Sequence, residues 1–301
     1  MMTWILLLGL SALLNPSVHA STHGIPSPDF ISSMKHHRLD WIVLPPIDAD
    51  NLKKWNTLEE LYKKNKPENI AAKATPTIPK IIHQIWLGSP LPERYKHHQR
   101  SWIKMHPTWQ YKLWTDRDIR KLGLYNQAAY DAAANYGERS DIARYEILYR
   151  FGGLYVDTDF ECLIPFDIFH HRYTFYTGVM RIGQIELNNA LIGSAPHHPL
   201  LRHCIESISN ENRFDPITQT EARTGPTHFT KSFFEYISSM PNNDLVIALP
   251  ISFFYPLPVR VAQYNTLQQI KEWITPNSYA VHYWANSWTH GHGLVNKRAS
   301  I

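Results

Sequence analysis

Phe151-Gly152-Gly153-Leu154-Tyr155-Val156-Asp157-Thr158-Asp159 is the stretch on which the fold turns. Ser140 to Arg150 reads as a helix, and the glycine pair stops it. Leu154-Tyr155-Val156 then reads as a short buried strand that delivers two carboxylates, two residues apart, at its end. A helix, a glycine turn and a strand with a polar end describe an open α/β sheet, in which ligands gather beyond the carboxyl ends of the strands.

Upstream, Ile81-Ile82-His83-Gln84-Ile85-Trp86-Leu87 is a short apolar run closed by Gly88-Ser89-Pro90, the pattern of a buried strand feeding a loop. A helical stretch from Pro92 to Met105, a break at His106-Pro107 and an alternating strand from Trp109 to Trp114 complete a β-α-β unit. Asn126 to Tyr136 reads as a further helix. Further strands are predicted around Tyr173 to Met180, Leu245 to Leu249 and Tyr279 to Tyr283. The expectation is a mostly parallel sheet flanked by helices, starting near residue 78. Before it, Ser21 to Pro46 is rich in Pro, Ser and His and reads as irregular. Asp50 is the predicted N-cap of an amphipathic helix carrying Leu52, Trp55, Glu59 and Tyr62.

Alternating carboxylates on a segment leaving a buried strand cannot both be satisfied by apolar neighbours. A divalent cation resolves the conflict. Mg²⁺ and Mn²⁺ bind through one or two carboxylates together with substrate phosphates, so a diphosphate is the natural third party. A solitary Asp-x-Asp also occurs in exposed turns as a pair of solvated caps. Asp141 and Arg144 lie at i and i+3 on the preceding helix; they read either as a surface ion pair or as part of the same site. A phosphotransferase with an Asp nucleophile also uses Asp-x-Asp after a strand, but there a Gly-Thr type turn follows, whereas Phe160-Glu161-Cys162 follows here.

The string from Ser140 to Asp159 closely resembles the DXD sugar-nucleotide-binding region of glycosyltransferase family 32. So do Ile78 to Trp86, the stretch from Ser101-Trp102 to Trp114-Thr115-Asp116, Thr224-Gly225-Pro226, and His282-Tyr283-Trp284-Ala285-Asn286-Ser287-Trp288. The resemblance implies a GT-A fold, a UDP- or GDP-hexose donor, Mn²⁺ or Mg²⁺, and transfer with retention to a glycan, lipid or protein acceptor. It implies that Trp86 stacks on the nucleobase, a role its large rigid face suits, or else is an ordinary core Trp. It implies that Asp141 and Arg144 contact the donor sugar and that Tyr155 lies near the phosphates. Asp159 is then the foremost direct metal ligand, with Asp157 bridging ribose and metal. Asn188-Asn189 would line the donor-sugar side, or form a turn. Ser287 and Trp288 would close over the diphosphate, and His282 or Asn286 would complete the metal shell. The rival reading is an exported carbohydrate-binding or degenerate transferase-like effector, since 10 Trp among 301 residues suit sugar stacking as well as core packing.

A 44% hydrophobic, 19% charged composition gives a globular protein long enough for a full core. The net charge of +4 forms no basic stripe, so no nucleic-acid partner is expected. The run from Trp4 to Leu14 followed by Val18-His19-Ala20 predicts a secretory signal over residues 1–20, with signal-anchor behaviour as the alternative; it is too short to span a bilayer in the ordinary way. The predicted organisation is therefore a signal at 1–20, an irregular and helical segment at 21–77 and a catalytic domain at 78–301, exported to the medium, the periplasm or an endomembrane lumen. Cys162 and Cys204 either form one disulfide or are separately buried thiols.

Overall fold

The computed structural model describes residues 27–37, 46, 48–181, 183–208, 216–258, 270–285 and 287. The proposed signal segment, Asn286 and Trp288 lie outside these residues. The spine is a six-stranded sheet. Strands β1 (Ile81–Ile85), β2 (Gln110–Trp114), β3 (Gly153–Val156), β5 (Phe175–Arg181), β6 (Glu186–Ser194) and β7 (Val246–Leu249) run in the order β2-β1-β3-β6-β5-β7. β1 pairs in parallel with β2 and β3, and β5 with β7, while β6 runs antiparallel between β3 and β5. Five strands thus share one direction. Buried on both faces, β1 and β3 need near-continuous apolar sequence, which is what the chain supplies there. This is the expected mostly parallel, Rossmann-like sheet flanked by helices.

Helices α3 (Glu93–Met105), α4 (Asp116–Leu122), α5 (Gln127–Ala132) and α6 (Tyr136–Phe151) connect the first three strands. The helix expected from Asn126 to Tyr136 is shorter, since the chain breaks after Ala132 and Asn135 becomes the N-cap of α6, its side chain accepting from the Glu138 N–H. α6 stops at Gly152 (φ 61°), and Gly153 follows with φ 100°. A Cβ on Gly153 would sit 2.6 Å from the carbonyl oxygen of Ile81, so glycine alone lets β3 start this close to β1.

Three expectations are corrected. β6, a nine-residue strand between β3 and β5, falls where a turn was the alternative reading of Asn188-Asn189; both asparagines are buried within the strand. The predicted strand at Tyr279 to Tyr283 does not join the main sheet. As β8 (Ala280–His282) it pairs antiparallel with β4 (Phe160–Cys162), Phe160 opposite His282, in a separate two-stranded sheet. Nor is the N-terminal segment wholly irregular, because Phe30–Met34 forms α1, capped by Asp29.

The next helix, α2 (Ala49–Asn65), is capped by Asp48, whose carboxylate accepts from Asp50 and Asn51, so Asp50 lies in the first turn instead of at the cap. Trp55, Leu58 and Tyr62 of α2 join the same hydrophobic cluster as the sheet, and Asn65 donates to the carbonyl of Val246 in β7. Beyond β4 come α7 (Asp167–His170), α8 (Pro199–Glu206), α9 (Pro216–Arg223), α10 (Pro226–Ser239) and α11 (Ile251–Phe254). Cys162 and Cys204 are both free and buried, which decides between the two readings of the cysteines. No helix among the described residues is long and apolar enough to cross a membrane.

Candidate active site

A cavity of about 660 Å³ opens where β1 and β3 end. Its walls are the loop after β1 (Trp86 to Ser89), the first half of α6, the Asp157-Thr158-Asp159 segment, the start of β6, and His282, Trp284 and Ser287. Two groups of charged residues lie in it.

The first group centres on Arg144. Its guanidinium lies 3.0 Å from Asp141 and 3.2 Å from Asp157, donates to the Asn189 carbonyl at 2.9 Å and to Ser140, and sits 4.4 Å over the ring of Tyr155. Asp141 also accepts from the Asn189 amide at 2.8 Å and from Thr224 at 3.2 Å. The Asp141–Arg144 pair is therefore no surface ion pair; both side chains are less than a tenth exposed. Burial pushes the Asp141 carboxyl up to about 6 against the pull of Arg144. Burial also opposes the Arg144 charge, but Asp157, Tyr155 and Asp141 together hold its pKa above the ordinary arginine value.

In the second group, Asp157, Asp159 and His282 place their ligating atoms within 4.8 Å of one another. Asp157 is the more open carboxylate, its side chain 29% exposed, and one of its oxygens accepts from the Tyr155 hydroxyl at 2.6 Å. Asp159 has both oxygens engaged, by His282 Nε2 at 3.1 Å and by the Ala285 N–H at 2.8 Å. The two carboxyls diverge. Burial and the neighbouring Asp159 charge raise Asp157 despite Arg144. At Asp159 burial is outweighed by the charge and hydrogen bond of His282 and by Ala285, which hold it at about 2. His282 stacks on Phe160 at 4.4 Å and contacts Trp284 at 4.2 Å. Its Nδ1 is buried with no hydrogen-bond partner among the described residues. Two crowded carboxylates and an imidazole with an orphaned nitrogen are a donor set that fits a divalent cation.

Of the residues singled out in the sequence, Trp86 lines the cavity wall, partly exposed, its ring 5.0 Å from Tyr95 and its N–H on Ser89. It is not a core tryptophan. Asn189 and Ser287 also line the cavity. Tyr155 does not; fully buried behind Asp157, it touches the site through its hydroxyl and through Arg144. The sequence reading missed Gln84, which donates to the Asp157 carbonyl and accepts from Tyr111, and the buried Glu138–Arg223 ion pair at 2.6 Å. It also gave no role to Trp284, which lines the cavity beside His282 and donates to the Leu257 carbonyl. Trp284 stands inside the His282 to Trp288 motif, so that signal was present; Gln84, inside an apolar strand, gave none.

A family model described as "Glycosyltransferase sugar-binding region containing DXD motif" matches residues 92–176, which span α3 to β5 and include Asp141, Arg144, Asp157 and Asp159. The chain is similar to inositol phosphoceramide mannosyltransferase 2 of Schizosaccharomyces pombe, 32% identical over 173 residues, 56% of this chain and 49% of that protein. It is also similar to inositol phosphoceramide mannosyltransferase 1 of the same yeast, 29% identical over 224 residues and 69% of each chain. The chain thus spans about half the length of the first of these relatives. Among solved structures, the PaToxG glycosyltransferase superposes with a TM-score of 0.46 at 18% identity, covering 62% of this chain and 81% of that one. The matched region holds the DXD carboxylates that follow β3, and over it the chain is similar to the DXD-motif glycosyltransferases.

Proposed function

We propose that this protein is a metal-dependent, retaining glycosyltransferase that moves a hexose from a nucleoside-diphosphate sugar to an acceptor hydroxyl. The observation that carries the reading is the pairing, in one cavity, of an internally braced Asp141–Arg144–Asn189 group with a cluster of two carboxylates and an imidazole whose Nδ1 has no hydrogen bond among the described residues. Asp157, Asp159 and His282 would hold Mn²⁺ or Mg²⁺, with Ser287 and its sequence neighbour Trp288 closing over the diphosphate. Bound there, the cation supplies Lewis-acid stabilisation of the charge that gathers on the departing phosphate.

The protein's own groups do the rest. Trp86, its orientation fixed by Tyr95 and Ser89, offers a flat face to the nucleobase. Asp141, Arg144 and Asn189 offer hydrogen bonds to the donor hexose, and their mutual bonds hold them in place before the donor arrives. Tyr155 acts through Asp157, fixing the carboxylate by its hydroxyl. As the anomeric C–O bond breaks, its electron pair goes to the phosphate oxygen. The acceptor oxygen joins the same face of the sugar and its proton passes to that departing oxygen, which gives retention without a carboxylate nucleophile.

The names of the yeast relatives make a nucleoside-diphosphate mannose the first donor and an inositol phosphoceramide the first acceptor to try. The test is a panel of UDP- and GDP-sugars with the purified chain, with Mn²⁺ and with chelator. Release of nucleoside diphosphate from one donor, abolished by chelator, supports the reading. Donor binding without turnover on any acceptor class would replace it with a carbohydrate-binding effector.

A further inference from the structure

The two-stranded sheet carries a second set of metal-ligating groups, on the side facing α3. That helix is locked to β4 by two hydrogen bonds, from the Trp102 indole to the Phe160 carbonyl at 2.9 Å and from the Cys162 N–H to the Ser101 hydroxyl at 2.9 Å. His97 and His98 precede Ser101 and Trp102 by four positions, one turn earlier on the same face. Between Phe160 and Cys162 stands Glu161. The docking of α3 therefore brings both imidazoles to this one carboxylate.

Glu161 is 1% exposed. One oxygen accepts from the Tyr283 hydroxyl at 2.7 Å; the other is buried with no hydrogen bond among the described residues and lies 3.6 Å from His97 Nε2. His98 stacks on the Tyr283 ring at 4.8 Å, and its Nδ1 is likewise buried without a hydrogen bond among the described residues. Two orphaned, ligand-competent atoms thus lie in one small cluster, and the ligating atoms of all three residues fall within 4.8 Å of one another. Leaving a buried carboxylate oxygen unmatched is costly, and a cation removes that cost.

We propose that His97, His98 and Glu161 bind one zinc-class divalent ion, separate from the Asp157–Asp159–His282 cluster, that fastens α3 to β4, which follows Asp159, and to β8, which ends at His282. The donor set decides the class of ion. Two imidazole nitrogens and one carboxylate oxygen suit Zn²⁺, whereas Mg²⁺ and Mn²⁺ prefer oxygen. Tetrahedral ligands around zinc stand about 3.4 Å apart for bonds of ~2.1 Å, close to the His97–Glu161 spacing already present. His97, a quarter exposed, gives the ion a path in and leaves room for a water as fourth ligand. Tyr283 holds the second carboxylate oxygen, the kind of outer contact that orients a ligand.

The test uses the full chain carrying Asp157→Asn and Asp159→Asn, which disables the other cluster, stripped with chelator and titrated with Co²⁺ as a coloured stand-in. The expected result is one equivalent of Co²⁺ with the visible bands of a four-coordinate site, displaced by Zn²⁺. Adding His97→Ala or Glu161→Gln should weaken binding by at least about tenfold, and the rise in Tm on adding Zn²⁺ should vanish. If Glu161→Gln does not fold, the partly exposed His97→Ala carries the test. No stoichiometric binding in the double variant, or binding that His97→Ala leaves intact, overturns the proposal and reduces the cluster to an ion pair of Glu161 with a protonated histidine. Glycosyl transfer is not a readout, so the outcome is independent of the proposed activity.

Discussion

The two ends of the cavity are built on opposite principles. At the Arg144 end the charges answer one another: Asp141 has Arg144, Asn189 and Thr224, and Arg144 has two carboxylates and two carbonyls. At the Asp159 end two carboxylates crowd an imidazole whose second nitrogen meets no partner among the described residues. A closed network is suited to recognising a neutral sugar, because its donors and acceptors are already positioned. An open one is suited to an ion that arrives with a diphosphate. The difference predicts that variants at one end disturb chemistry while variants at the other disturb the fold.

The largest effect is expected at the open end. Asp157→Asn or Asp159→Asn should lower transfer by roughly a thousandfold or more, the order of several kcal/mol of lost charge stabilisation, and Asp157→Asn, which replaces a carboxyl whose pKa burial already raises, should leave Tm close to that of the parent. Rates on the donor found in the panel, paired with thermal melts, check both halves. At the closed end, Arg144→Ala leaves Asp141 and Asp157 without their counter-charge in a buried setting, so a loss of about 3–5 kcal/mol in stability should accompany loss of activity in denaturant melts. A Tm unchanged in that variant would break the contrast.

A smaller effect separates the ends by pH. The folded-state pKa of Asp141 is raised from 3.8 to about 6, so its contribution to stability is present at low pH and is lost as pH rises through about 6. Asp141→Asn removes that penalty. Its Tm at pH 7.5 should lie above that of the parent, by on the order of 5 °C, and the gap should close below pH 4. The smallest effect belongs to the wall: Trp86→Ala should raise KM for the donor by about tenfold, with kcat and Tm little changed. An equal fall in kcat would mean that Trp86 helps position the reacting sugar as well.

Much of this was legible because the physics was local. The glycine pair at 152–153, the apolar runs of β1 and β3 and the i, i+3 spacing of Asp141 and Arg144 are each settled by a few neighbouring residues. What escaped depended on distant partners. Asn188 and Asn189 have poor strand propensity and left a turn open as a reading, yet both are buried inside β6, with Asn188 opposite Gly178 of β5 and Asn189 bonded to Asp141, 48 positions away in sequence. Phe160–Cys162 is too short to announce a strand and exists because Ala280–His282 pairs with it. That pairing also brings His282 onto Asp159, a contact the sequence suggested only through the family motif. Asp48 displaced Asp50 as the cap of α2: both carboxylates suit the role, and it is Asp48 that stays extended and accepts from the N–H groups of Asp50 and Asn51.

Binding of nucleoside diphosphate, measured by calorimetry on the purified chain, tests the central claim most directly. With Mn²⁺ present, UDP or GDP should bind at least about tenfold more tightly than in chelator, and Asp157→Asn or Asp159→Asn should erase the difference. Equal affinity with and without the metal, or a metal effect that survives both substitutions, would contradict the assignment of these carboxylates as the seat of the donor diphosphate.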